Sequence, residues 1–254
     1  MGFAEEERLV GHKHTKEYPG RAIAWLLTDN DLAPEQVTAV SYNFQAHRYL
    51  GALAQIPGQL FHPASRDRMA PRVRSFARVA SRTRARMRDL STRFPQAQVS
   101  AVQHHRAHGM YAFASSGYEC AAVLVADSLG ELQSTTIAHA HRIAADGCTY
   151  RIVEAIDDPA SLGYAYGAIT EHLGWRRGDE EGTVMALAAL GNPARFRPLF
   201  AGAIPITDTG FALDPELLPL RVLSSRYMRI GCEFTAATCP PRRAEDPVEQ
   251  VHQD

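Results

Sequence analysis

The sequence predicts an α/β protein, and two observations favour this fold class. In the first half of the chain, apolar residues recur at helical spacing from Pro19 until residues 29–31, and the β-branched and aromatic run 37–44 (VTAVSYNF) follows as a strand. In the centre, a short strand at 99–102 and a helix that opens at a histidine cluster precede the continuously apolar strand 121–126 (AAVLVA). Helices and strands in this order are typical of layered α/β domains.

Three strand-like segments follow one another with short connections, at 121–126, 135–141 and 150–156. Short connections between consecutive strands predict an antiparallel meander. A meander with a helix before it and helices after it is the pattern of a ribonuclease-H-like subdomain. His139 and His141 alternate with alanines along the middle strand, so we expect them to lie on a solvated face.

Length and composition describe a globular chain. With 254 residues, 45% of them hydrophobic and 22% charged, it can bury one large core or two modest ones. The four cysteines show no CxxC spacing, which favours free thiols. The sequence contains no run of roughly 18 apolar residues and does not begin with a basic and then an apolar stretch. We therefore expect no membrane span, no secretory signal and a cytoplasmic location.

The central histidine cluster is the strongest chemical signal. His104 and His108 are four residues apart, so a helix places them on one face, one turn above the other. Two imidazoles in that arrangement can hold a metal, and a pair of surface histidines is the alternative. Asp127 directly follows the strand 121–126, at the edge of a sheet where α/β proteins collect ligands, and the polar turn 128–131 (SLGE) comes next.

An arginine-rich stretch occupies residues 63–94. Its apolar residues fall mostly three or four apart, which predicts an amphipathic helix after Pro71 with a strongly basic outer face. A basic stripe can contact nucleic-acid phosphates, but no aromatic stacking platform or DNA-binding motif accompanies it. We favour a solvated surface helix or one that docks on an acidic surface, and we expect no nucleic-acid partner.

Two glycine pairs mark the region after the meander. Gly163 and Gly167, four apart in the predicted helix 161–175, would allow close backbone packing at a helix crossing. Gly178 and Gly182 bracket three acidic residues before a short apolar helix at 184–190. A glycine at a helix amino terminus can present free N–H groups to an anion, and a simple turn into a buried helix explains it equally well. Beyond this region we predict a helix at 196–200, a hairpin at 204–213 and a rigid loop at 239–243.

Several of these segments together resemble the O-carbamoyltransferase family, which includes the nodulation-factor and aminoglycoside carbamoyltransferases. They occur in the family order and cover residues 5–191, with a weaker continuation at 240–243. The matching segments are 5–8 with 13–14 (EEER, then KH), 104–108 (HHRAH), 127–131 (DSLGE), 161–174 (SLGYAYGAITEHLG) and 181–189 (EGTVMALAA).

The resemblance implies an actin-like ATPase fold built from ribonuclease-H-like lobes, each a mixed sheet with flanking helices. It also implies an ATP-dependent activity. In such enzymes a carbamoyl adenylate, made from carbamoyl phosphate and ATP in a separate YrdC-like domain, carbamoylates a hydroxyl group. The acceptor expected here is a secondary metabolite or a sugar.

The resemblance also assigns the site residues. The metal ligands are His104, His108 and Asp127, and the divalent metal is expected to be iron, although this ligand set also suits zinc or manganese. Catalytic roles fall on Lys13, as a charge toward carbamoyl or phosphate oxygens, and on His14. His105, about 100° round the helix from His104, is expected to support the site or to pack beside it. The residues implied for the ATP or carbamoyl adenylate are Asp127, Ser128, Gly130, Glu181 and Gly182.

Three positions depart from the family pattern: Ser128 and Ala186 replace glycines, and Thr183 replaces a lysine. We expect residues 1–254 to form part of the amino-terminal carbamoyltransferase domain, without its first strand, second lobe and YrdC-like domain, and with 63–94 as a helical insertion. A second polypeptide would then complete the fold. The alternative is a non-catalytic remnant or interaction module that uses the arginine-rich helix.

Overall fold

The computed structural model describes residues 2–13, 15, 17–49, 51, 69–143, 147–219 and 230–254. Helices and strands alternate along the chain, which confirms the α/β class. Parallel and antiparallel strand pairs are both present, but in the described residues they lie in three separate sheets rather than in one mixed sheet. The chain divides into two compact units, Met1–Asn43 with Ser81–Val102, and Phe44–Ala80 with Gln103–Asp254.

The first unit is built around a pair of parallel strands. Strand β1 (Ala39–Tyr42) pairs with β2 (Gln98–Ala101), and Ala39 lies opposite Gln98. The strands predicted at 37–44 and 99–102 are therefore confirmed with shorter bounds. The helices before β1 are α1 (Glu6–Val10) and α2 (Gly20–Asp29), and a 3₁₀ turn follows at Pro34–Gln36.

The carboxylate of Glu6 caps helix α2. Its two oxygens accept the backbone N–H groups of Arg21 at 3.2 Å and of Ala22 at 2.8 Å. The first N–H groups of a helix have no partner within the helix, so a carboxylate at this position satisfies them and is stabilised by the helix dipole. The acidic segment 5–8 thus has a structural role within its own unit.

Helix α3 (Met69–Arg93) is the arginine-rich element, and it begins before Pro71; residues 63–68 of the predicted stretch lie outside the described residues. Leu90 and Thr83 are buried, which confirms the predicted amphipathic character. Arg86 donates a hydrogen bond to the Tyr42 hydroxyl at 3.1 Å. Among the arginines of this helix whose side chains are described, the exposed ones are Arg74, Arg78, Arg82, Arg84 and Arg88.

The second unit contains the predicted meander. Strands β3 (Cys120–Ala126), β4 (Gln133–Ile143) and β5 (Gly147–Asp157) pair antiparallel in that order. Helix α4 (His104–Ser116) packs on one face of this sheet through Phe113. The buried side chains of this core are Phe113, Val123, Val125, Ala138, Ala140 and Tyr150.

Helices follow the meander, as predicted, with a second core built on Ala165, Ala168, Ala203, Leu213 and Leu218. The predicted hairpin at 204–213 is present as two short strands. The elements are α5 (Leu162–His172), α6 (Glu181–Ala188), α7 (Arg197–Ala203), β6 (Ile206–Thr207), β7 (Gly210–Phe211), α8 (Cys232–Ala237) and α9 (Gln250–Gln253). None of the helices in the described parts of the chain has the length and apolar character needed to cross a membrane.

Candidate metal centre

Three side chains of the second unit converge at the start of helix α4. The Nε2 atom of His104 lies 2.8 Å from the Asp127 Oδ2 atom and 3.0 Å from Nε2 of His108. The His108 Nε2 atom is 4.0 Å from the same carboxylate oxygen. Among the described residues, this is the one group of three histidine, cysteine or acidic side chains whose ligand atoms all lie within 4.8 Å of one another.

Local structure explains why these groups meet. The four-residue spacing puts both imidazoles on one face of α4, with their ring centroids 4.5 Å apart. Strand β3 ends at Ala126, so Asp127 is the first residue beyond the sheet edge. The backbone N–H of Asp127 donates to the Ser134 carbonyl at 2.8 Å, and that of Gly130 donates to Gln133 at 2.7 Å. These two bonds close the loop 127–133 and hold the carboxylate beside the helix.

The Asp127 carboxylate is held in its ionised form. The hydrogen bond from His104 lowers its pKa, burial opposes this, and the Ser128 N–H, 2.6 Å from Oδ1, lowers the pKa further. A carboxylate must be ionised to bind a metal, and histidine must be neutral. The His108 side chain is 54% exposed, against 21% for His104, so the cluster opens to solvent on the His108 side.

The donor set fits a divalent metal. Two neutral imidazoles and one carboxylate with an open side are the ligands of many iron(II) sites and of catalytic zinc sites. Metal–ligand distances of about 2.0–2.2 Å bring such donor atoms to about 3–4 Å from one another. The three observed separations lie close to that range, so a cation needs only small side-chain shifts to bind here.

His105 is a packing residue, as predicted. Its side chain is fully buried, its Nδ1 atom lies 3.2 Å from the Thr136 hydroxyl, and burial lowers its pKa. Its Nε2 atom has no hydrogen-bond partner among the described residues. A Cβ atom on Gly130 would lie 2.8 Å from the His105 ring, so the glycine leaves room for this imidazole. This packing explains Gly130 without a ligand, and its nucleotide contact stays a prediction.

Gly163 supports the site from helix α5. A Cβ atom there would lie 2.7 Å from the Ser128 nitrogen and 2.9 Å from the Asp127 carbonyl carbon. The predicted close packing at this glycine is therefore present, but its partner is the loop after β3 and not a crossing helix. Ser161, the residue that caps α5, donates to the Ser128 carbonyl at 2.7 Å and accepts the Tyr164 N–H. In the sequence, a serine immediately before residues with helical spacing is the pattern that indicates such a cap.

Glu131 has a role at the site that its place in the sequence does not indicate. This residue is 2% exposed, and its carboxylate accepts the backbone N–H groups of His104 and Gln45. It stands in the matched segment 127–131, but its partners are 27 and 86 residues away along the chain, so no local spacing indicated the contact.

Two other predicted residues of the second unit, Glu181 and Gly182, lie in helix α6, outside the cluster. Glu181 is the first residue of α6 and accepts the Gly178 N–H, and no atom lies within 4 Å of where a Cβ atom on Gly182 would stand. The nucleotide contacts of Glu181 and Gly182 therefore stay predictions. Lys13 is exposed and belongs to the first unit, and its catalytic role is untested. His14 lies outside the described residues.

Comparison with known proteins identifies the family. Residues 68–201, just over half of the chain, match the family model described as "Carbamoyltransferase N-terminus". The chain is 27% identical over 238 residues to nodulation protein NolNO of Sinorhizobium fredii, an alignment that covers 92% of this chain and 33% of that protein. It is 33% identical over 137 residues to nodulation protein NolO of Bradyrhizobium diazoefficiens, covering 53% of this chain and 24% of that protein.

The chain thus spans about a third or less of the length of these relatives. The matched region includes all three clustered side chains and the whole meander. The resemblance drawn from the sequence motifs is confirmed, and the protein belongs to the carbamoyltransferase family through the amino-terminal region that the family model describes.

Proposed function

We propose that this chain is the metal-binding portion of an ATP-dependent O-carbamoyltransferase, and that His104, His108 and Asp127 hold a divalent cation, with iron as the first candidate. The observation that carries the proposal is the convergence of these three side chains within 4.8 Å, inside the region that matches the family. We further propose that the two units belong to an actin-like ATPase fold, completed by further sequence or by a second polypeptide.

The proposed substrates are carbamoyl phosphate and a hydroxyl-bearing small molecule, with a carbamoyl adenylate as the activated donor. A bound divalent cation supplies charge neutralisation and Lewis acidity toward phosphate and carbamoyl oxygens. The ionised Asp127 and two neutral imidazoles provide its ligands, and the exposed side of His108 leaves room for a phosphate oxygen. We assign the Ser128 to Gly130 loop, Glu181 and Gly182 to the nucleotide, and Lys13 to oxygens of the donor. A cytoplasmic location accords with the four free thiols.

Metal content provides the direct test. The purified chain is loaded anaerobically with Fe²⁺, desalted and analysed for bound metal. We expect about one equivalent in the wild-type chain and a loss of most of it in His108→Ala, because a site with one imidazole fewer holds its metal weakly. His141→Ala is the matched control, since it removes an exposed histidine outside the cluster. Equal metal content in all three proteins would contradict the proposal.

Nucleotide binding tests the second half of the proposal. Isothermal titration with ATP is performed on metal-loaded and metal-free chain. If the cation contacts the phosphates, metal should tighten ATP binding by about 5- to 150-fold, which is the usual range of coupling between two sites. His108→Ala should show the metal-free affinity under both conditions. An ATP affinity that is the same with and without metal would contradict the proposed contact between the cation and the phosphates, and no detectable ATP binding to either form would remove ATP from the proposed function.

The basic helix supports a second candidate function, docking on an acidic partner. Of the α3 arginines whose side chains the structure describes, five are exposed, whereas Arg86 is partly buried and bonded to Tyr42. A triple variant that neutralises Arg82, Arg84 and Arg88 should therefore perturb the fold less than a variant that also changes Arg86. Retention of the wild-type chain on an immobilised polyanion, lost in high salt and in the variant, would favour this function. Salt-insensitive behaviour would count against it.

A further inference from the structure

Glu131 connects three separate segments of the second unit around one ligand of the candidate metal centre. Its Oε1 atom accepts the Gln45 N–H at 2.7 Å and the His104 N–H at 3.1 Å, and its Oε2 atom lies 3.3 Å from the same His104 nitrogen. These contacts join residue 131 to the segment that follows β1 and to the first residue of helix α4. The glutamate is 2% exposed.

The contact with His104 serves as a helix cap supplied from elsewhere in the chain. Gln103, which precedes α4, makes no side-chain capping bond, and the first N–H groups of a helix need an acceptor from outside it. A carboxylate at that end accepts these donors and interacts favourably with the helix dipole. Glu131 therefore determines where the first turn of α4 lies relative to the loop after β3.

The same loop carries Asp127. Residues 127–131 thus contribute one proposed ligand, Asp127. Through Glu131, the same segment also holds the backbone of a second ligand, His104. The Phe44 ring, next to the bonded Gln45, packs edge-on against the His104 imidazole with a centroid distance of 6.3 Å. One carboxylate accordingly restrains both the backbone of His104 and a ring that flanks its side chain.

A buried carboxylate is costly unless it is hydrogen-bonded, and a neutral amide would satisfy these contacts less well. A glutamine at position 131 keeps one oxygen for the two N–H groups, but its N–H₂ group replaces Oε2 and faces the His104 N–H, which is also a donor, and the negative charge at the helix terminus is lost. The first turn of α4 would then lose part of its restraint. Metal ligands tolerate displacements of only about 0.2 Å, so such a loss affects binding at His104 Nε2 before it affects the fold.

We infer that Glu131 is a positioning residue of the metal centre, which holds His104 at binding distance from Asp127 through the backbone of helix α4. This inference rests on the proposed metal site. Residues 127–131 then supply one ligand, Asp127, and orient another, His104.

The test uses the full purified chain and Co²⁺, whose visible absorption reports both affinity and coordination geometry. Compared with wild type, Glu131→Gln should bind Co²⁺ about 10- to 100-fold more weakly, the usual cost of losing a residue that orients a ligand, and should show a shifted absorption band. Thr170→Val is the matched control, because Thr170 is fully buried and its hydroxyl donates to the Tyr166 carbonyl outside the cluster. It should lower the thermal midpoint without changing the Co²⁺ affinity or spectrum.

A Glu131→Gln protein that is less stable but binds Co²⁺ with unchanged affinity and spectrum would overturn the inference and leave Glu131 a purely structural residue. The His104 amide and imidazole resonances of the metal-free protein, observed by NMR, separate this result from failure of the proposed function. If wild type binds no Co²⁺ but Glu131→Gln shifts both resonances, the positioning role stands and the metal proposal fails. Unshifted resonances contradict the positioning role whether or not metal binds.

Discussion

Two regions of the second unit carry closely spaced histidines, and they differ in the side chains that lie beside the two histidines. At the start of helix α4, His104 and His108 lie on one face, and Asp127 reaches them from the end of β3. On strand β4, His139 and His141 are both exposed, and the Cys120 sulfur lies 3.2 Å from Nε2 of His139. The number of histidines is the same. Among the described residues, only at α4 do the ligand atoms of both histidines and of a third side chain all lie within 4.8 Å of one another, and the packing of α4 on the sheet brings that third side chain, Asp127, into place.

Removing that third donor should have the largest effect. Asp127→Asn leaves the helix with two histidines and a neutral amide, and we expect its affinity for Co²⁺ to fall by more than about 100-fold. Asp157→Asn is the matched control, because Asp157 is also an acidic residue at the end of a strand of the same sheet but lies outside the cluster. Comparable affinities in a Co²⁺ titration of the two variants would break the distinction between the regions.

The backbone behind Asp127 provides the next test. Gly163→Ala places a methyl group 2.7–2.9 Å from backbone atoms of residues 127 and 128, which cannot move away cheaply. We expect it to lower the free energy of unfolding by about 1–3 kcal/mol and to weaken Co²⁺ binding as well.

Gly182→Ala is the control for this crowding, because no atom lies within 4 Å of the added methyl position and the residue is helical. It should be neutral or stabilise the chain by up to about 1 kcal/mol. Urea denaturation of both variants measures these changes. Equal destabilisation by the two substitutions would show that close packing against the loop does not govern the site.

Burial also makes the histidines differ in how they change the stability of the fold as the pH falls. His172 is 7% exposed, and burial lowers its pKa below that of an unfolded histidine, while its ring contacts the Cys239 carbonyl at 2.9 Å. As the pH falls through the unfolded value of about 6.5, the unfolded chain binds a proton that the folded chain does not, so the native state loses stability.

The measurement compares unfolding free energies of wild type and His172→Gln between about pH 7.5 and pH 5. The variant should lose less stability than wild type over this interval, because the glutamine does not titrate. His141→Gln, at an exposed position, should follow the wild-type curve. Parallel curves for all three proteins would refute the assignment of His172 as a buried neutral histidine.

The smallest effect is expected on strand β4 itself. Since His141 is exposed and stands apart from the ligand cluster, His141→Ala should change the unfolding free energy by no more than about 0.5 kcal/mol and leave metal content unchanged. A lowered metal content would mean that the strand histidines contribute to metal binding, and it would erase the contrast between the two regions.

Much of this architecture follows from local pattern. The meander, helix α4 and the shared face of His104 and His108 were predictable because strand alternation and the 3.6-residue helical repeat act over a few residues. The roles of the glycines were not predictable from such local patterns. Gly130 and Gly163 look alike as small residues in a motif, yet one makes space for the His105 ring and the other for the backbone of residues 127 and 128. Those neighbours are distant in sequence, so spacing alone could not name them.

By itself, the sequence determined the α/β class, the family and the three proposed ligands, since each depends on short-range order and residue type. Only the tertiary structure decided that the Asp127 carboxylate meets both imidazoles, that the strands fall into three separate sheets, and that Glu131 caps the helix that carries His104. The physical reason is that a buried polar group must find its partners wherever packing brings them, and here those partners are 27 and 86 residues away along the chain.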